Sequence, residues 1–192
     1  RSSRAIQTTF SDLLLDFRLI PLYSGKEWLR TNDVDILFFP DYEQMQDDPE
    51  LETQLVTQRP ICATLSVDHP LAQKTSLIWK DLMGVDILLQ KDLAFSGYAK
   101  SIRANCLSHG FDPNLVPFDN TNTLRLYMGL GRGIGLAMTR LMDRSEVLTN
   151  RIVTDSSFSL ILVWKKESVY QDLVGFASKL SPIIAKAFEQ ED

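Results

Sequence analysis

Four short segments carry small hydroxyl or amide side chains where a helix would begin: Ser2-Ser3, Ser24-Gly25, Ser96-Gly97 and Thr121-Asn122-Thr123. The first turn of a helix holds backbone N–H groups with no intrahelical acceptor, and its aligned peptide dipoles make that end partially positive. Hydroxyls placed there add donors to an array already suited to negative charge. A small carboxylate or similar anion is the ligand these junctions fit. The same residue types are also the ordinary helix caps, and at any single junction a cap that binds nothing is the competing explanation. Phe39, Phe95 and Phe118 fall at or just beyond predicted strand ends, as apolar wall or as core. Catalytic chemistry finds little support. The two histidines, His69 and His109, are separated by a predicted strand and helix, Asp35 is a lone acid in an apolar strand, and no nucleophile elbow, zinc-binding or phosphate-loop pattern occurs. No cofactor and no metal are expected.

The elements that would position these residues alternate. Ile6, Phe10, Leu13, Leu14 and Phe17 recur at helical spacing and predict a helix over residues 3–17, with Ser2 or Ser3 as its cap. Residues 19–23 read as a strand, 24–29 as a short helix, and 34–39 as a strand whose continuous apolar character suits a parallel strand covered on both faces. The acidic stretch 40–49 is a solvated connection, and alternation of Ile61, Ala63, Leu65 and Val67 marks a long strand from 52 to 67. Next come an amphipathic segment at 76–82, a strand at 85–89, a polar loop, a helix bearing Tyr98, Ile102 and Cys106, a strand at 115–118, and a helix with Leu124, Tyr127 and Met128 on one face. Gly131 and Gly133 then make a tight turn into the apolar run 134–138, since glycine takes positive φ without strain and admits close backbone approach. Phe158, Leu160, Leu162 and Trp164 alternate in a late strand, and Leu173, Phe176, Leu180, Ile183, Ile184 and Ala187 form one stripe of a closing helix. The chain goes out and returns. Residues 1–67 and 156–192 form one lobe and 68–155 the other, giving an α/β chain of two Rossmann-like lobes with a central cleft.

Bulk properties exclude several classes. With 44% apolar and 23% charged residues the chain is an ordinary folded protein. Its net charge of −5 and lack of a basic helical stripe argue against direct DNA binding, which needs a cationic surface for counterion release. Two cysteines, Cys62 and Cys106, on different elements, are too few and too far apart for a disulfide framework and fit buried thiols in a reducing cytoplasm. No segment approaches the ~20 apolar residues that cross a bilayer.

Three motifs in order, the HPLA element at His69 to Ala72, the GRGIG turn at Gly131 to Gly135 and the late SLILVWKK strand at Ser159 to Lys166, resemble the effector-binding domain of LysR-type transcriptional regulators. The resemblance covers nearly the whole chain. It departs from the family's pattern at Met138, where proline is usual, and at the short passage from Phe17 to Arg18. It implies a periplasmic-binding-protein-like (type 2) fold, a helix-turn-helix DNA-binding head preceding Arg1, cytoplasmic location, a homodimer or tetramer using the helices at 3–17 and 98–108, and no membrane partner. It also implies a small-molecule effector in the cleft, contacted by the turns at Ser2, Ser24 and Thr121 to Thr123, with Thr64 on the crossover strand facing it. An exported solute-binding protein shares that architecture and is the alternative, followed by an enzyme on the same fold and by a dimerisation module without a ligand.

Overall fold

A computed structural model describes residues 2–21, 24–42, 45–94, 96–138, 145–170 and 172–189, with only the backbone at 2–4 and 189. Six strands hydrogen-bond in the order β1-β6-β2-β5-β3-β4. They are β1 (Ile36–Pro40), β2 (Leu51–Ser66), β3 (Asp86–Gln90), β4 (Asn114–Phe118), β5 (Ile134–Ala137) and β6 (Leu148–Lys165). The helices are α1 (Ser2–Thr9), α2 (Gly25–Arg30), α3 (Gly97–Ser108), α4 (Thr121–Gly129) and α5 (Leu173–Glu189). Two compact units emerge, residues 1–58 with 159–192 and residues 59–158. The first boundary falls earlier than the Val67 read from the sequence. The strands join in one order because β2 and β6 each contribute residues to both units.

In the first unit, β1 pairs antiparallel with β6, from Ile36 opposite Trp164 to Pro40 opposite Leu160. This corrects the expected parallel strand. β1 is an edge strand: Leu37 and Phe39 are buried on one face, while on the other Ile36 packs against the second core and the partly exposed Phe38 ring lies 5.8 Å from that of Phe188, so the apolar run reflects packing on both faces without a parallel neighbour. Leu37 and Phe39 join Leu29, Met45, Leu51, Ile161 and Val163 in one core. On a second core, α1 and α5 meet through Ile6, Phe10, Ala177 and Leu180 against Leu162 and Trp164, and the rings of Phe10 and Phe176 lie 4.4 Å apart. The closing helix thus packs where its stripe predicts.

The expected helix over 3–17 is shorter. It ends at Thr9, followed by a tighter turn in which the Leu13 N–H donates to Phe10 O at 3.0 Å. Thr8, Thr9, Ser11 and Asp12 favour competing side-chain to backbone contacts over helix continuation. Residues 14–21 adopt no regular structure, so among the described residues no strand occupies 19–21. Leu14 and Leu19 are fully exposed. Asp35, expected within an apolar strand, is exposed ahead of β1.

In the second unit, β3 lies parallel to β4 and to β5, while β2 runs antiparallel to β5. α3 connects β3 to β4 and α4 connects β4 to β5, as the strand-helix alternation predicts. The amphipathic segment at 76–82 is instead a short 3-10 turn, Trp79–Leu82, preceded by a second one, Pro70–Gln73. Proline at the start and the short spacing favour 3-10 geometry over a longer helix. Arg151 on β6 fixes the first turn: its Nε donates to Lys74 O at 2.5 Å and its Nη2 to Ala72 O at 2.6 Å. The carboxylate of Asp81 accepts the Ile78 N–H at 3.0 Å, and a hydrogen bond from Lys74 holds its pKa below the usual range. The glycine turn is sterically demanding. Gly133 has φ of 151°, and a Cβ there would lie 2.6 Å from Asp86 O, while Gly131 has φ of 68° with open space around it.

Candidate functional site

In the second unit, one face of the sheet gathers most of the candidate polar residues. Thr64 pairs with Gly135, Gly135 with Leu88, and Leu88 with Val116, so their side chains share a face. α4 covers that face through Leu124 and Met128, which pack on Leu88 and Leu148 with Val116 and Phe118 beside them. Two residues beyond Leu88, Gln90 projects the same way and its amide Nε2 donates to the Thr121 hydroxyl. The first turn of α4 therefore stands at the carboxyl ends of the parallel strands β3 and β4, the end of an α/β sheet where ligands usually bind.

The hydrogen bonding assigns each residue a local task. Asn120 is the cap of α4: its Oδ1 accepts the Thr123 N–H at 2.9 Å and the Thr123 hydroxyl at 3.1 Å. Thr121, Asn122 and Thr123 are consequently the first helical residues rather than the turn before them, with Thr121 and Asn122 exposed. Thr64 is buried, and its Oγ1 donates to Asn150 Oδ1 on β6 at 2.7 Å. The Ser96 hydroxyl donates backwards to Leu93 O at 2.7 Å instead of capping α3. Phe118 is half-buried and its ring meets that of Tyr127 at 4.7 Å. Phe95 lies outside the described residues.

The first unit's candidates are placed separately. The Ser24 hydroxyl donates to Pro21 O at 2.9 Å, makes no cap bond, and precedes a helix of only six residues. Phe39 is 3% exposed in the core, where a Cβ at Gly25 would lie 3.1 Å from Leu37 Cδ1 and 3.2 Å from the Phe39 ring. Ser2 and Ser3 lie in the first turn of α1.

The histidines have structural partners. His69 Nδ1 accepts the Leu71 N–H at 3.1 Å, and burial lowers its pKa. His109 ends α3, where its Nδ1 lies 2.8 Å from Asn105 O, and its ring stacks on Trp79 at 6.2 Å. Asp155 joins these elements, accepting the Trp79 N–H at 2.9 Å and lying 3.6 Å from His109 Nε2. Cys62 and Cys106 are buried and not joined in a disulfide, and burial pushes the Cys106 pKa up to about 11. Among the described residues no group of three metal-ligating side chains is assembled, and no helix is long and apolar enough to cross a membrane. Sequence reasoning missed Gln90, Asn120 and Asn150. Asn120 was detectable as a cap residue three positions before Thr123, whereas the pairing of Gln90 or Asn150 with a distant threonine leaves no local pattern.

This arrangement can present uncharged donors and acceptors, with helix N–H groups behind them, to a small polar molecule. A sequence profile described as the LysR substrate binding domain matches residues 5–175, and the chain belongs to that family, the effector-binding part of LysR-type transcriptional regulators. The HTH-type transcriptional regulator ShiR of Corynebacterium glutamicum (strain R) is 30% identical over 93 residues, covering 48% of this chain and 31% of the relative. The matched segment is thus about a third of that relative's length.

Solved structures show the same fold. The C-terminal domain of a probable LysR family regulator from Rhodococcus sp. RHA1 superposes with TM-score 0.73 at 19% identity, over 94% of this chain and 90% of that one. The BenM effector binding domain with its effector benzoate gives 0.79 at 14% identity, over 100% and 86%. The effector binding domain of QuiR in complex with shikimate gives 0.75 at 14%, over 97% and 89%. The fold is therefore the mixed α/β, periplasmic-binding-protein-like (type 2) one that the resemblance implies, and these relatives are regulators rather than enzymes.

Proposed function

We propose that this chain senses a small metabolite and, through a helix-turn-helix domain elsewhere in the full-length protein, controls DNA binding and transcription. The observation that carries the reading is the family match over residues 5–175, together with the cluster of Gln90, Asn120, Thr121 and Thr123 at the strand ends of the second unit. The effector is a small polar molecule, with a carboxylate as the preferred group because the N-terminal end of α4, partially positive by its aligned peptide dipoles, stands at the strand ends. The fold neighbours bound to benzoate and to shikimate support that class without naming this chain's ligand. Thr121 to Thr123 are the proposed ligand contacts of the second unit and Ser24 that of the first, while the buried Thr64 supports the second from beneath through Asn150. Binding favours one of two conformations of the chain by the difference in its affinity for them, since only that difference moves the equilibrium. The protein works in the cytoplasm as a homodimer or tetramer, pairing through α1 and α3.

Calorimetric titration against a panel of metabolites that includes benzoate and shikimate tests this. A binder is expected, and Thr123→Ala and Ser24→Ala should each weaken it by about 10–150-fold, the loss of one hydrogen bond to a charged group. A ligand whose affinity neither substitution alters removes the proposed site. If no metabolite on a broad panel binds, the sensing role falls and a purely dimerising role takes its place.

A further inference from the structure

We draw no further inference here: the strongest candidate, the exposed apolar surface patch of Leu126 on α4 and Leu130 at its C-terminal cap, is an apolar face on which nothing in the structure shows what covers it.

Discussion

At the scale of single residues, the two glycines of the GRGIG turn separate two physical demands. Gly131 needs only a left-handed backbone, and Gly131→Ala should cost about 1 kcal/mol in urea unfolding. Gly133 also lies against the β3 backbone, where a Cβ would approach Asp86 O to 2.6 Å and Leu88 Cδ2 to 2.7 Å. Gly133→Ala should therefore cost at least about 2 kcal/mol more than the Gly131 change, because backbone cannot yield as a flexible side chain can. Equal costs would refute the close approach. His69 supplies a pH effect whose sign follows from its lowered pKa. The folded state binds this proton less readily than the unfolded chain, so its contribution is complete above the ordinary histidine value and is lost as pH falls through the lowered one. Unfolding midpoints should drop between about pH 7 and pH 5, and His69→Asn, which keeps an acceptor without titrating in this range, should flatten that part of the curve. A slope unchanged by the substitution would assign the effect elsewhere. The glycine turn was legible because local chemistry dictates it, whereas the cap of α4 proved to be Asn120 rather than the threonines that follow it. The tasks of Ser24 and Ser96, each donating to a carbonyl three residues back, were not legible, since a serine before a helix looks alike whether it caps or turns.

Among the elements, local periodicity was a good guide wherever a segment also found a partner. α5, β3 and β4 formed where their patterns predict, because each buries its apolar side in a core. The helix at 3–17 stopped at Thr9 although its apolar spacing continued. Ile6 and Phe10 are buried, whereas Leu13, Leu14 and Phe17 face solvent, and a stripe with nothing beneath it stabilises no helix. The first half of β6 was missed for the opposite reason. Residues 148–157 are largely polar, and the ladder is held there by tertiary contacts such as Ile61 N–H to Ser156 Oγ, which no local window reveals. Both outer strands end in proline-bearing edges, Pro40 on β1 and Pro117 on β4, which blunts pairing with another chain. Arg151 shows how an irregular element is fixed by a regular one. Its guanidinium also reaches Asn150 O and Thr149 Oγ1, both at 2.7 Å, so one planar group ties the HPLA turn to β6. Lysine cannot reproduce that fork. Arg151→Lys should cost about 1–3 kcal/mol in urea unfolding, and in hydrogen exchange the amides of residues 70–74 should lose protection before those of β3. Uniform loss across the unit would show that Arg151 acts on global stability rather than on the turn.

For the molecule as a whole, charge and fold divide the work of a regulator. A surface of net charge −5 repels a polyanion, and binding to duplex DNA without sequence recognition depends on releasing counterions from phosphates by lysine and arginine contacts. The described helices carry no cationic stripe: α4 ends without a basic last turn and so does α3, and Lys91 and Arg103 are each paired with an aspartate, Asp119 and Asp112. The family membership assigns this chain to the effector-binding part of LysR-type regulators, which fits a body with little electrostatic attraction for DNA. Fluorescence anisotropy with a labelled duplex at about 0.15 M salt should accordingly show no binding at micromolar protein, and lowering salt tenfold should not rescue it, because there are too few phosphate contacts for the salt slope to act on. Fusing a family helix-turn-helix ahead of Arg1 should restore salt-dependent binding, and an effector found by calorimetry should then change that affinity while leaving the salt slope unaltered, since it acts on domain arrangement rather than on phosphate contacts. Tight, steeply salt-dependent binding by the present chain alone would overturn the division, and would place a nucleic-acid surface on a fold read here as a metabolite sensor.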